Sequence, residues 1–310
     1  MTINRRASID IGSNSVLLLV ADLNDGELQE LLRKSHVTSL GKDLDKNKKF
    51  IDSSMHATFE ALKDYALECD KYHVPREEII VTATEAARVA TNAKEFFEKI
   101  KQSLNLDIKI ITSEAEAYYS TRGILFNSQF EEELITIMDI GGASTELIRV
   151  NTKNFSILET ISMPVGAVRS AQWLEEDIFV QKLQKTFVDF RTDLDKFQSR
   201  KLYCVAGTVT SLGNMHLENK EFHEDDVHGL NLKSEDFENL FKKYSGWNSD
   251  RFLEKFPFLE KRAHSIRGGM HLVYHLIHRL LVREVTISTY GLRYGTLLEG
   301  HIKPEYLYAG

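Results

Sequence analysis

The sequence predicts an α/β protein built as two similar halves. Three observations carry this reading. Strand-like apolar runs alternate with stretches whose apolar residues recur at helical spacing. The segment Ile9-Asp10-Ile11-Gly12-Ser13-Asn14-Ser15 returns as Met138-Asp139-Ile140-Gly141-Gly142-Ala143-Ser144, 129 residues further on. The length of 310 residues suits two domains of about 150 residues each.

Taken in order, residues 7–11 and 16–22 read as two strands around a Gly-Ser-Asn turn. Residues 52–72 carry Met55, Phe59, Leu62, Ala66 and Cys69 at helical spacing. Pro75 breaks the chain before a strand at 79–82. A helix over 85–100, a strand over 108–111 and a helix over 114–125 complete the first half. Residues 127–133 are polar and form the expected linker. Strands at 134–140, 145–150 and 155–161 open the second half. Helices at 167–174 and 178–198 follow, then short strands at 202–206 and 285–288. The boundaries drawn are 1–126 for an N-terminal lobe and 127–310 for a C-terminal lobe, with 296–310 a candidate to complete the first. Two such lobes imply a bilobed molecule with a cleft between them.

Composition narrows the function. With 39 basic and 46 acidic residues the net charge is −7, and neither half is basic. Nothing marks a partner for nucleic acid, so a polyanionic ligand would need a local basic cleft. The 17 Phe and 11 Tyr are too many for a disordered chain. Cys69 and Cys204 lie in apolar segments without CxxC spacing, which reads as buried thiols in a reducing compartment. No apolar run approaches the ~18 residues of a membrane span. Asp10 and Asn14 interrupt any signal-peptide core. The expectation is a cytoplasmic protein without membrane partners.

The two Gly-rich turns carry the chemistry. Glycines allow positive φ and let a phosphate approach backbone N–H groups closely. Ser13, Asn14, Ser15, Ser144 and Thr145 add side-chain donors, and Asp10 and Asp139 sit at strand ends where a carboxylate can hold Mg²⁺. One turn alone reads equally as an ordinary hairpin with Asp as turn former. A matched pair at domain spacing favours phosphate binding. A third turn, Ala206-Gly207-Thr208, would add N–H donors at a helix N-terminus. Ser113 followed by Glu116 makes a capping box; the other reading of Glu116 is a general base. Arg88, Arg169, Arg262, Arg267 and Arg293 offer forks for phosphate, against a plain surface role. His264, His271, His275 and His278 lack a completing ligand and read as a wet helix face. His223-Glu224-Asp225-Asp226 reads as an exposed loop.

From Ala7 to about Glu299 the sequence resembles the exopolyphosphatase/guanosine pentaphosphate phosphohydrolase (Ppx/GppA) family of the actin-like phosphotransferase superfamily. The resemblance rests on the two Asp-Ile-Gly turns, the latter continuing to Thr145-Glu146-Leu147, on Ala83-Thr84-Glu85-Ala86-Ala87-Arg88, and on the segment ending at Glu116-Ala117. It rests also on Pro164-Val165-Gly166-Ala167-Val168-Arg169, Ala206-Gly207-Thr208 and Gly291-Leu292-Arg293-Tyr294-Gly295. It implies two actin-like (ribonuclease H-like) lobes with a phosphate-binding cleft between them, in the family's short, two-domain form. A homodimer is also implied. Glu116 matches the catalytic glutamate, and Arg88 the arginine that meets substrate phosphate. Asp139 and Glu146 match the acidic positions associated with Mg²⁺, with Asp10 a further candidate. Gly12, Ser13, Asn14, Ser15, Gly141, Gly142, Ala143, Ser144, Gly207 and Thr208 match the phosphate-cradling turns. Arg169, Arg262, Arg267 and Arg293 are candidates for a substrate channel. Ala143 departs from a family glycine, Thr112-Ser113-Glu114-Ala115 departs from the usual run before the glutamate, and Tyr294 stands where Glu is common.

The implied activity is Mg²⁺-dependent removal of the terminal phosphate from inorganic polyphosphate, or conversion of pppGpp to ppGpp as in the stringent response. A kinase or ATPase of the same superfamily and a non-catalytic polyphosphate or alarmone sensor are the competing readings.

Overall fold

The computed structural model describes residues 4–24, 26–126 and 130–309. The chain divides into two compact units, Met1–Phe126 with Gly291–Gly310, and Asn127–Tyr290. The second unit ends at Tyr290; the sequence reading drew it to 310, with 296–310 a candidate to complete the first, and the segment that joins the first unit starts at Gly291. Residues 127–129 of the expected linker lie outside the described residues.

The first unit holds β1 (Asn4–Ile11), β2 (Ser15–Asn24), β3 (Glu27–Val37), β4 (Ile79–Ala83) and β5 (Ile108–Ile110), in spatial order β3-β2-β1-β4-β5. β1, β2 and β3 form an antiparallel meander, and β4 and β5 run parallel to β1. β1 is covered on both faces. Ala7, Ile9 and Ile11 alternate into the main core with Leu62 and Phe97 from the helices. On the other face Ser8 shares a hydrogen bond of 2.7 Å with Thr296 of the helix Leu292–Glu299. The returning segment thus closes a face of the first sheet, which is why it belongs to the first unit.

The second unit holds β6 (Leu134–Ile140), β7 (Thr145–Asn151), β8 (Ser156–Met163), β9 (Lys201–Val205), β10 (Asn231–Lys233) and β11 (Glu284–Ile287). Their order is β10-β11-β9-β6-β7-β8. β6, β7 and β8 are an antiparallel meander, while β9 and β11 run parallel to β6 and to each other. Apart from the edge strand β10, this repeats the first sheet strand for strand. The core of this unit gathers Met138, Leu147, Leu202 and Val285 with the helices Gly207–His216 and Ala263–Arg279.

Several expectations are corrected. The helix read over 85–100 is two, Glu85–Val89 and Ala93–Leu104, because Ala90 is extended. The Asn92 side chain accepts from Phe50 N–H at 2.9 Å and donates to Phe50 carbonyl at 3.1 Å, which draws the chain out of the helix. The helix read over 178–198 is also two, Phe179–Asp189 and Arg191–Lys196, broken at Phe190. β3 was not read as a strand, because Glu27, Glu30, Arg33 and Lys34 obscure the alternation of an edge strand. His223-Glu224-Asp225-Asp226 contributes to a one-turn helix, Glu224–Val227, rather than to a loop alone. No helix among the described residues is long and apolar enough to cross a membrane.

Candidate functional site

Each unit gathers its site residues where its parallel strands end, the edge at which open α/β sheets bind ligands. In the first unit β1 runs into the turn Gly12–Ser15. Gly12 N–H donates to Ser15 carbonyl at 2.9 Å, and a Cβ on Gly12 would meet that oxygen at 3.2 Å. The carbonyls of Ser13 and Asn14 accept from the following loop: Gly41 N–H reaches Ser13 at 2.7 Å, and Thr38 and Ser39 N–H each reach Asn14 at 3.0 Å. The amides of Ser13 and Asn14 have no bonded acceptor among the described residues.

The turn after β6 repeats this geometry. Gly141 N–H donates to Ser144 carbonyl at 3.0 Å, and a Cβ on Gly141 would lie 3.3 Å from it. The Gly142 and Ala143 amides likewise have no bonded acceptor among the described residues. Left-handed backbone is not what these turns require, since the described residues with positive φ lie elsewhere. The glycines answer closeness instead, and Ala143 is accommodated.

The arrangement of carboxylates differs between the two copies. Asp139 stands opposite Glu146 in the β6–β7 register, and Glu146 is buried with its Oε1 accepting from Ser162 Oγ at 2.7 Å. Asp10 stands opposite Leu17. No cluster of three or more His, Cys, Asp or Glu suited to a metal occurs among the described residues. Two carboxylates do suit Mg²⁺, which keeps several waters and takes its remaining ligands from phosphate oxygens.

β4 leads through Thr84 into the helix Glu85–Val89, which carries Arg88. Its guanidinium is nearly buried and held from three sides. Nη1 donates to Ile111 carbonyl at 2.6 Å and to Glu116 Oε1 at 2.5 Å, and Nη2 donates to Glu85 Oε2 at 3.0 Å. Burial works against the charge, but Glu116 and Glu85 outweigh it and hold the Arg88 pKa above the usual arginine value. Three of the five guanidinium N–H groups are engaged, so two remain for a phosphoryl oxygen.

Glu116 lies in the first turn of the helix Ser113–Leu125. The cap of that helix is Thr112, whose Oγ1 accepts from Ala115 N–H at 3.2 Å. The expected Ser113/Glu116 box does not form, because the cap stands one residue earlier with Ala115 at its N3 position, and the Glu116 carboxylate faces Arg88. Close packing fixes this helix. A Cβ on Gly295 would fall 1.8 Å from Tyr119 carbonyl, and one on Gly123 would fall 2.3 Å from Gly291 carbonyl. The two glycines let the helices Ser113–Leu125 and Leu292–Glu299 touch backbone to backbone.

After β9, Ala206 adopts φ 75° and Gly207 opens the helix Gly207–His216. The first intrahelical amide in use is that of Thr210, which leaves the Gly207, Thr208 and Val209 amides at the end that attracts anions. The Arg262 guanidinium rests on Gly207; a Cβ there would lie 1.9 Å from its Nη1.

The other arginines are placed differently from expectation. Arg169 is buried, and its Nη1 donates to the carbonyls of Ala143 at 2.6 Å and Pro164 at 2.8 Å. Through these two carbonyls it braces the second turn. Arg267 donates from Nε to Ser245 carbonyl at 2.8 Å and ties two helices. Arg293 lies over the Tyr294 ring at 5.5 Å, and Tyr294 donates to Glu30 at 2.8 Å. Of the four, Arg169 and Arg262 touch the glycine turns, at Ala143 and Gly207 respectively.

The histidine face is drier than expected. His271 packs edge-on to Phe179 and Phe241, and burial pulls its pKa down to about 4. His275 also packs on Phe179 and is lowered by burial, while His278 is exposed. Both cysteines are buried. Burial pushes the Cys69 thiol up to about 12 and raises Cys204 as well, so neither is a nucleophile at neutral pH.

Sequence reasoning missed Glu85 and Ser162. Glu85 stands three residues before Arg88 on one helix, a spacing at which side chains meet. Ser162 stands opposite Glu146 across β7 and β8, which becomes visible once that register is known.

Two α/β units of one strand order, each with a glycine turn at its parallel strand ends, define the actin-like class of phosphate-handling folds. Within it, the model of the Ppx/GppA phosphatase family matches residues 19–302, and the chain belongs to that family. It is 28% identical over 313 residues to the bifunctional 3-dehydroquinate synthase/phosphatase of Fusobacterium nucleatum, a match covering 95% of this chain and 46% of that protein. The chain thus spans about half the length of that relative. It is 26% identical over 322 residues to exopolyphosphatase 2 of Mycobacterium tuberculosis, covering 96% of this chain and 99% of that one. The solved structure of the Aquifex aeolicus Ppx/GppA family member aligns with TM-score 0.76 at 28% identity, over 96% of this chain and 97% of that one.

Proposed function

We propose that this chain is a phosphohydrolase that removes the terminal phosphoryl group of inorganic polyphosphate. The observation that carries the reading is the near-buried Arg88 held between Glu116 and Glu85 with two donors left over. A guanidinium fixed this way is pre-oriented toward charge that develops on a transferring phosphoryl group. Glu116, fixed in turn by Arg88 and by its helix, orients a water toward the terminal phosphorus. As the water oxygen bonds to phosphorus, Glu116 takes its proton. The bond from phosphorus to the bridging oxygen breaks, and the shortened chain leaves with that oxygen. In the first unit the amides of Ser13 and Asn14, and in the second those of Gly142, Ala143, Gly207 and Thr208, are each suited to phosphoryl oxygens.

Asp139 and Glu146 are the residues that would hold Mg²⁺, with Ser162 orienting Glu146. The ion, when bound, would neutralise charge on phosphate oxygens.

Polyphosphate is preferred over guanosine pentaphosphate because the match to exopolyphosphatase 2 runs over nearly the whole of both chains. The test is phosphate release from long-chain polyphosphate, guanosine pentaphosphate and ATP, each with and without Mg²⁺. Release from polyphosphate that needs Mg²⁺ is the expected result. Release from ATP alone would favour a kinase or ATPase, and tight binding of polyphosphate without release would make the chain a sensor.

A further inference from the structure

The residues Ile111 and Thr112 link β5 to the helix that carries Glu116. They make two contacts that bear on the site. Ile111 carbonyl accepts from Arg88, and Thr112 carbonyl accepts from Glu116 N–H at 3.1 Å. A misplacement here moves both members of the Arg88–Glu116 pair.

On their other side these residues are held by a distant stretch of chain. Thr112 N–H donates to Tyr306 carbonyl at 3.0 Å, and Tyr308 N–H donates to Ile110 carbonyl at 2.9 Å. Ile111 and Leu307 form an antiparallel bridge between them. The stretch therefore adds backbone pairing along the open edge of β5, whose other neighbour is β4.

Side chains lock the stretch onto the same helix. Lys303 Nζ donates to Tyr118 Oη at 2.8 Å and lies 4.2 Å from the centre of that ring. Lys303 N–H donates to Tyr119 Oη at 3.0 Å, and Tyr119 donates to His301 carbonyl at 3.3 Å. The Tyr306 ring packs on both Tyr118 and Tyr119. Tyr118 and Tyr119 follow Glu116 by two and three residues.

We infer that residues 303–308 are a positioning strap for the Arg88–Glu116 pair. Loosening the strap lowers turnover while leaving substrate affinity in place, although none of its residues touches the reacting atoms. The catalytic part of this inference rests on the function proposed above.

The test compares the full chain with Lys303→Met/Tyr308→Pro. The lysine change removes the bond to Tyr118. The proline removes the N–H that reaches Ile110, and Leu307 before it already has the extended φ −77°, ψ 133° that a following proline requires. Lys303→Arg, which keeps a cation over the Tyr118 ring, is the rescue variant. Three readouts are taken: amide exchange at Thr112, the separation of the Arg88 Nη resonances, and kcat against KM. In the double variant, faster Thr112 exchange, merged Arg88 resonances and a kcat about 10-fold lower at unchanged KM are expected. Near-normal values are expected in Lys303→Arg.

Faster Thr112 exchange with unmoved Arg88 resonances would overturn the strap, as would unchanged Thr112 exchange in the double variant. So would a rise in KM at constant kcat. If the unaltered chain hydrolyses none of the substrates, the Arg88 resonances still decide whether the strap positions the pair, and only the functional reading fails.

Discussion

Asp139 and Glu146 face each other across β6 and β7, while Asp10, at the equivalent point of the first unit, faces Leu17. The duplicated turn thus carries its paired acids in one copy only. Directly opposed residues on an antiparallel pair are close enough to act together. The proposed Mg²⁺ site therefore belongs to the second unit, although Asp10 and Asp139 read alike in the sequence. The expected outcome is that Asp139→Asn abolishes activation by Mg²⁺ while Asp10→Asn leaves the concentration for half-activation much nearer normal. Ser162→Ala, which removes the bond orienting Glu146, should raise that concentration by about 10-fold. Titration of activity with Mg²⁺ checks all three.

Arg88 meets Ile111 carbonyl, Glu116 and Glu85 from different directions, which a planar fork can do and an ammonium on a flexible stem cannot. Arg88→Lys should retain the fold and lose about 10²-fold or more in kcat. Steady-state kinetics beside a melting curve separate the two effects.

Gly295 is a packing requirement. A methyl group there would overlap Tyr119 carbonyl, a backbone atom that cannot swing aside. Gly295→Ala should cost about 1–3 kcal/mol by overpacking. Gly246→Ala is the control, because nothing lies within 4 Å of a Cβ at that position. Denaturant titration should show a large shift for the first and little for the second.

His271 makes the stability of the second unit depend on pH. Its folded pKa is about 4, below the ordinary 6.5, because burial against Phe179 and Phe241 disfavours the charged ring. Between those values the unfolded chain binds the proton and the folded chain does not. Stability is therefore full above about pH 6.5 and declines as pH falls toward 4. His271→Gln should flatten this dependence. Melting temperatures at pH 7.5 and pH 5 measure it, and an equal fall in both proteins would assign the acid sensitivity elsewhere.

Much of this was legible in the residues. The echo between Ile9–Ser15 and Met138–Ser144 anticipated two sheets of one order, because a turn of that composition follows from its flanking strands. Arg88 and Glu116 could be named from their motifs. Their pairing could not, since it depends on the break at Ala90 and on the Thr112 cap, both set by contacts distant in sequence. The bonds from Arg169 to the carbonyls of Ala143 and Pro164 were not legible, because a glycine-flanked arginine reads alike whether it faces a ligand or braces a turn. The return of the C-terminal segment was read in part: 296–310 was a candidate to complete the first lobe, and the unit takes up 291–310. The earlier start is specified by shape, through Gly295 against Tyr119 and Ser8 against Thr296.

The most direct test of the central claim is the turnover of Glu116→Gln on polyphosphate with saturating Mg²⁺. The substitution keeps size and an acceptor toward Arg88 but removes the base. A fall in kcat of about 10²–10⁴-fold with substrate binding retained is the predicted result. Turnover equal to that of the unaltered chain would contradict the assignment of Glu116 and the mechanism built on it.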